Sequence, residues 1–373
     1  MGNLLKTYLG ILVNMKGQYK RIVIKIGSNV ITQDNGLPDD IRIKHLVAQL
    51  AALKQEGLEI ILVSSGAVAS GRSLITLKEN KQLISTRQLL SSVGQVKLIN
   101  TYSELFRQHQ LICAQVLVTK EDFRDRVHYL NMKNCFASLL QHHIIPVINE
   151  NDVVSVTELM FTDNDELAGL IASMLNADAL IILSNIDGIY NGNPKLAGSQ
   201  IIEEIRGSEY NFSAIIQSEK STFGRGGMLT KATMAKKIAK LGIGVHIANG
   251  KRDDVLIELL SGQLRHTYFV PEKRKSGKKK WIAHAENAAV GKVRLNEGAR
   301  VALTSGKVRS LLPVGIIDVI GTFEKGDIIR ITDENDQLIG LGIAQYGVEK
   351  ARERLGMKKQ KPLVHYDYFY SIY

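Results

Sequence analysis

Two lysines in company that disfavours them are the first sign of chemistry in this 373-residue chain. Residues 20–31 read YKRIVIKIGSNV, and the apolar, β-branched Ile22, Val23, Ile24 and Ile26 predict a buried strand that stops at Gly27-Ser28-Asn29. Inside such a strand Lys25 loses its hydration, and a phosphate near the strand end would compensate it. An edge strand from which Lys25 reaches solvent is the simpler alternative. The second lysine closes the run Gly224-Arg225-Gly226-Gly227-Met228-Leu229-Thr230-Lys231. Its glycines let backbone N–H groups approach an anion. Thr230, Lys231, Ala232, Met234, Ala235, Ile238, Ala239 and Leu241 then keep helical spacing from a start near Met228. A cation in that first turn opposes the helix dipole unless an anion is present. A flexible glycine-rich connection would explain the same residues without chemistry.

Between the lysines lies an acidic patch. Asp163-Asn164-Asp165 follows Asn149-Glu150-Asn151-Asp152, which ends the strand Ile144-Ile145-Pro146-Val147-Ile148. So many carboxylates and amides at one strand end are costly to bury without partners. Asp165 is the candidate to sit between the two lysines, while the amides and Asp152 suit a zwitterionic substrate. A pair of Asx turns, with Asp163 or Asn164 as N-cap of a helix Glu166–Leu175, accounts for the same residues and is compatible with catalysis.

The elements that must position these groups follow from periodicity. Strands are expected at 20–26, 59–64, 111–118, 144–149, 179–184 and 244–248, with helices near 39–55, 85–108, 129–142, 165–176, 228–241 and 252–260. Such alternation predicts an α/β fold, a three-layer αβα sandwich around a mostly parallel sheet. The strand Glu59–Val63 runs into Ser64-Ser65-Gly66-Ala67, small polar groups at a carboxyl edge, where open α/β sheets bind ligands. For Ser64 alone, a helix cap is an equal alternative. Residues 271–280, PEKRKSGKKK, read as a solvated basic linker, and short β-like runs follow it. The expected organisation is a first domain over 15–265, a linker over 266–280 and a small C-terminal β-barrel over 281–365.

The residues in this order resemble the glutamate 5-kinases of the amino acid kinase family. The resemblance rests on Lys25-Ile26-Gly27-Ser28, Val63-Ser64-Ser65-Gly66-Ala67, Pro146-Val147-Ile148-Asn149-Glu150-Asn151-Asp152, Asp163-Asn164-Asp165 and Gly226-Gly227-Met228-Leu229-Thr230-Lys231, five motifs in register over residues 20–260. It implies that Lys25 and Lys231 stabilise a transferring phosphoryl group and that Asp165 holds both. Ser65, Asp152 and Asn164 would bind L-glutamate with Asn149 close by. Gly27, Gly226 and Gly227 would offer N–H groups to phosphates, the run Arg225–Lys231 would line the nucleotide, and Ser184 and Asn185 would lie beside it. The implied reaction uses ATP and Mg²⁺ to phosphorylate the γ-carboxylate, the first step of proline synthesis, and its product would pass to a glutamyl phosphate reductase. That carboxylate, with a reference pKa of about 4.3, is already an anion at neutral pH and needs no general base. Charge compensation is what the transfer requires. The pattern departs from the family at Met160 and Thr162, where a basic residue and a glycine are usual, and at Asn185, where many members have aspartate.

The tail resembles a PUA domain over roughly 281–365, through Ser310-Leu311-Leu312-Pro313-Val314-Gly315-Ile316, Gly321-Thr322-Phe323-Glu324-Lys325-Gly326-Asp327 and Gly340-Leu341-Gly342-Ile343-Ala344. PUA domains bind RNA in modification enzymes. From residue 251 onward there are 22 Lys and Arg against 15 Asp and Glu, a surplus of 7 within the net +11 of the chain. A basic surface is more often solvated than a nucleic-acid site, so RNA is the minor alternative. Another alternative is a kinase of the same fold acting on aspartate, acetylglutamate, carbamate or uridylate. The two cysteines, Cys113 and Cys135, lack zinc or redox spacing, and a reducing cytoplasm is the expected setting. The apolar stretch Leu4–Val13 is interrupted by Lys6, lacks a cleavage site and is too short for a membrane span. Met1-Gly2 has the start of a myristoylation motif without its serine or threonine. Residues 1–14 are read either as an over-extended start or as a packing helix. The resemblance also implies a homo-oligomer, dimer or tetramer.

Overall fold

The computed structural model describes residues 19–76, 83–154, 164–194, 196, 198–207, 227–286, 289–305 and 309–372. The chain divides into two compact units, one of Met1–Asp122 and Tyr129–Arg274 and another of Phe123–His128 and Lys275–Tyr373.

The larger unit is built on one sheet of β1 (Arg21–Ile26), β2 (Glu59–Ser64), β3 (Cys113–Val118), β4 (Ile145–Glu150), β5 (Ala179–Ser184), β6 (Glu204–Ile205), β7 (Gly244–Asn249) and β8 (Thr267–Phe269). The strand order is β3-β4-β2-β1-β5-β7-β8-β6, and neighbours run parallel except β7 with β8. Helices α1 (Asp40–Gln55), α2 (Ala67–Arg72), α3 (Leu83–Arg107), α4 (Lys120–Arg124), α5 (Arg126–Gln141), α6 (Asn164–Met174), α7 (Met228–Lys240) and α8 (Val255–Leu260) connect the strands. Strands in the middle of a parallel sheet are covered on both faces, which is why β1 and β5 are near-continuous apolar runs. Edge strand β3 instead leaves Gln115 and Leu117 exposed and buries Val118 alone.

Strand alternation in β1 sorts its side chains between the two layers. Ile22, Ile24 and Ile26 join a core with Leu46 and Leu50 of α1, Leu98, Tyr102 and Phe106 of α3, and Leu256 of α8. Lys25 falls on the opposite face, where α6 packs on β1 and α7 packs on α6. The edge-strand alternative for Lys25 therefore fails, because β1 lies between β2 and β5. Each fully buried isoleucine contributes about 1.5–3 kcal/mol, enough in sum for this strand to tolerate one buried ammonium, provided that it is paired.

Two close approaches fix the layer behind β2. A Cβ on Gly94 of α3 would stand 1.8 Å from the Ala67 carbonyl oxygen, and one on Gly71 of α2 would stand 2.0 Å from that of Leu90. Only glycine permits α2 and α3 to touch backbone to backbone here.

In the smaller unit, β9 (Gly291–Leu295), β10 (Ile316–Gly321), β11 (Ile328–Thr332), β12 (Leu338–Ile343) and β13 (Phe369–Ser371) form a second sheet in the order β10-β9-β11-β12-β13. The pairing is antiparallel except for β9 with β11. Its core includes Val293, Leu295, Phe323, Ile329, Ile331, Ile339 and Leu363. Helices α9 (Gly277–His284), α10 (Glu297–Thr304) and α11 (Val348–Glu353) belong to this stretch.

The stretch expected as a solvated linker over 266–280 carries local structure, while most of residues 272–278 are exposed. Thr267–Phe269 is a strand of the main sheet, Arg274 pairs with Asp178 at 3.4 Å, and Ser276 caps α9 by accepting from the Lys279 N–H. Lys280 is wholly buried. Charge density suggested solvent, but a short strand and a serine cap carry the chain through without any apolar periodicity. The short β6, β8, α2 and α4 likewise offer too few residues for a period to register.

Candidate active site

The carboxyl ends of β1 and β5 and the first turns of α6 and α7 meet at one point. Asp165, in the first turn of α6, is 1% exposed and lies between the two lysines. Lys25 Nζ is 2.6 Å from its Oδ1, and Lys231 Nζ donates to its Oδ2. Burial alone would raise the Asp165 pKa. The two ammonium groups overcome that and hold the carboxyl well below the ordinary range. The result is a desolvated triangle with one net positive charge. Lys231 occupies the helix turn that repels cations, and Asp165 is the anion that makes the position tenable.

Helix α7 begins at Gly227, whose φ of −70° and ψ of 172° leave it extended and whose cap carries no side-chain hydrogen bond. The N–H groups of a first helical turn have no intrahelical acceptors, so this end can receive an anion. Met228, Leu229 and Thr230 form that turn, with Leu229 and Thr230 exposed. Arg225 and Gly226, like Met160, Thr162 and Asp163, lie outside the described residues.

One expected contact is corrected. The Gly27 N–H donates to the Leu183 carbonyl at 3.1 Å, so sheet pairing uses the group expected to face phosphate. What Gly27 supplies is space: a Cβ there would sit 3.2 Å from that oxygen and 3.5 Å from Lys25 Nζ. At the end of β5, Ser184 pairs in register with Asn249, and its Oγ lies 3.4 Å from Asn185 Oδ1. Asn185 itself is exposed.

Ser65, Asn149 and Asn164, expected to bind the amino acid, form a connected polar chain. Asn164 Nδ2 donates to Ser65 Oγ at 2.9 Å and to Asn149 Oδ1 at 3.1 Å. Asn149, buried at the end of β4, donates in turn to Gln95 Oε1 at 2.9 Å. Asn164 opens α6 as its first helical residue and so is not its N-cap, while Asp163, the other capping candidate, lies outside the described residues. Ser64 does not cap α2 either: its Oγ donates to the Ser65 carbonyl at 3.0 Å and lies 2.8 Å from Tyr102 Oη. Asp152 is separate from this chain and is held by Arg87, whose Nη2 lies 2.6 Å from Asp152 Oδ1.

Arg87, Gln95 and Tyr102 were not among the sequence candidates, yet α3 brings all three to the site. Their separations of eight and seven residues put them on one helical face, a signal present in the sequence but hidden within a helix that also reads as ordinary amphipathic packing.

Acidic groups, two lysines and an open helix start thus meet at the carboxyl edge of the parallel sheet. Residues 20–249 match the Amino acid kinase family, and residues 291–366 match the PUA domain. A protein named Glutamate 5-kinase from Chlorobaculum tepidum is 51% identical over 355 residues, covering 95% of this chain and 98% of its own. One of the same name from Bacteroides thetaiotaomicron is 53% identical over 359 residues, with coverages of 95% and 99%. Among solved structures, carbamate kinase from Giardia lamblia bound to AMP-PNP is 18% identical with a TM-score of 0.49, covering 68% of this chain and 99% of its own. The chain belongs to the amino acid kinase family and, within it, to the glutamate 5-kinases. Among the described residues, no helix is long and apolar enough to cross a membrane.

Proposed function

We propose that the larger unit transfers the γ-phosphoryl group of ATP to the γ-carboxylate of L-glutamate, giving L-glutamyl 5-phosphate and ADP. The observation that carries this reading is the buried Lys25–Asp165–Lys231 triangle beside the open start of α7. A carboxylate oxygen of glutamate attacks the γ-phosphorus in line, the bond to the β-phosphate oxygen breaks, and ADP leaves with its electrons. No proton moves in that step. Lys25 and Lys231 balance the charge that gathers on the phosphoryl oxygens, and Asp165 keeps them in place before substrate arrives. The first turn of α7 receives the nucleotide phosphates, with Ser184 and Asn185 beside the nucleotide.

At the other end, Ser65, Asn149, Asn164 and Asp152 bind the amino acid through its ammonium and carboxylate groups. Mg²⁺ would arrive as a companion of the nucleotide, held by its phosphate oxygens. Bound to the phosphates, it supplies further neutralisation of their charge. The same reading assigns kinase and PUA-like domains to 15–265 and 281–365, a homo-oligomeric assembly, a cytoplasmic setting and a reductase that consumes the acyl phosphate.

The test is ADP release with Mg-ATP, comparing glutamate with aspartate, acetylglutamate, carbamate and uridylate, with hydroxylamine present. Glutamate-dependent turnover and a trapped hydroxamate are expected. Turnover on a different acceptor would overturn the substrate, and inactivity on all five would overturn the reaction.

A further inference from the structure

We propose that Arg87 is a positioning and specificity residue of the amino-acid pocket, acting through Asp152; the role rests on the glutamate kinase reading above. Arg87 Nε and Nη2 lie 3.0 and 2.6 Å from the same oxygen of Asp152, Oδ1. Nη2 also lies 3.4 Å from Glu150 Oε2. The carboxylates are nearly enclosed, with side-chain exposures of 5% for Glu150 and 9% for Asp152, whereas Arg87 is 31% exposed. One guanidinium thus binds two low-exposure carboxylates at the end of β4.

Two consequences follow for an amino acid entering this pocket. Engagement of Oδ1 by two nitrogens of Arg87 fixes the rotation of the Asp152 carboxylate that meets an incoming ammonium. The guanidinium also sets the charge balance. With Arg87, the cluster of Arg87, Glu150 and Asp152 carries one net negative charge, which an ammonium group offsets. Without it the cluster carries two, and the α-carboxylate of an acidic amino acid is repelled. Arg87 therefore selects a ligand with both an ammonium and a carboxylate on one carbon over one with the ammonium alone.

The geometry of α3 supports this assignment. Arg87 and Gln95 project from one face of the helix, and Gln95 holds Asn149, the residue just before Glu150. The same helix secures both amide and carboxylate recognition groups, and the Gly94–Ala67 approach seats it against the segment that carries Ser65.

The experiment uses the full chain in five proteins: wild type, R87Q, R87K, D152N and the R87Q/D152N double variant that completes a cycle. Glutamate KM, ATP KM and kcat are measured, together with the inhibition constant of 4-aminobutyrate, which has the ammonium and the γ-carboxylate but no α-carboxylate. In R87Q, glutamate KM is expected to rise about tenfold or more, with ATP KM and kcat within about threefold and 4-aminobutyrate inhibition within about threefold. R87K, which keeps the charge, should recover part of the loss. In the D152N background the same substitution should change glutamate KM by no more than about twofold to threefold. Equal losses for glutamate and 4-aminobutyrate, additive effects of R87Q and D152N, or a matching rise in ATP KM would overturn the role. Absence of glutamate turnover in the wild type would instead overturn the underlying reading, and this assignment with it.

Discussion

Lys231 and Asp165 illustrate how single side chains divide stability from turnover. Replacing Lys231 with alanine leaves the Lys25–Asp165 pair intact, so K231A should fold while kcat falls by about 10²–10³, the cost of losing one preorganised charge. A folded K231A protein with normal kcat would refute the assignment. Asp165→Asn acts differently. It strands two lysines whose side chains are 4% and 11% exposed, and breaking a buried pair in this way costs about 3–5 kcal/mol. Urea unfolding of D165N should show that loss, and unchanged stability would mean that the triangle is not a structural unit. The lysines and Asp165 could be singled out in the sequence because each is anomalous where it stands. Arg87 and Gln95 could not, since a polar residue on a helix has solvent as its default neighbour until the strand beside it is known.

At the scale of elements, the contact between α2 and α3 decides whether the proposed amino-acid pocket is assembled. In G94A the new methyl group would meet the backbone of α2 at two points, 1.8 Å from the Ala67 oxygen and 2.3 Å from the Gly71 nitrogen. Neither atom can rotate away, so α3 must shift. Overpacking of this kind costs about 1–3 kcal/mol. G94A should therefore lower stability and raise glutamate KM together, because Ser65, Gln95 and Arg87 ride on the displaced elements. A stable G94A with wild-type KM would show that the approach is incidental. Long alternating elements were readable from sequence because their apolar periods span many residues. The two-residue β6, the three-residue β8 and the capped start of α9 were not, since their stability comes from neighbours distant in the chain.

For the molecule as a whole, response to acid is set away from the active site. His266 Nδ1 donates to the Leu264 carbonyl at 2.8 Å, which leaves its Nε2 to accept from His246 Nδ1 at 2.8 Å. His246 Nε2 then accepts from Tyr19 Oη at 3.1 Å. One tautomer satisfies the entire relay, and an added proton would set two donors against each other. Burial, aided by His266, pushes His246 down to about 3, and burial lowers His266 as well. The unfolded imidazoles take up protons near pH 6.5 while the folded ones do not. The contribution of His246 is thus complete above about pH 6.5 and is lost as pH falls toward 3, at up to about 1.4 kcal/mol per unit, and His266 adds a loss of the same sign. Asp165 contributes to acid lability only below about pH 3.9, where the unfolded carboxyl begins to protonate. Urea unfolding at pH 7.5 and 5.0 should show the acid loss, and H246F should flatten it. Equal slopes in the two proteins would reject the relay as its source. In the smaller unit, Lys292 and Arg294 pair with Asp336 and Arg330 lies 3.9 Å from Glu286, so much of the basic charge on that sheet is already matched.

The triangle at the active site has a kinetic meaning as well. Its three members come from β1, α6 and α7, stretches far apart in the chain, and Lys25 meets Asp165 only when the central parallel pairing is complete. Parallel sheets with such non-local contacts assemble late and slowly, because loop closure must precede any reward. Recovery of phosphoryl transfer during refolding will therefore lag behind the return of helical signal, and enzymatic activity becomes a clock for the last long-range step of folding.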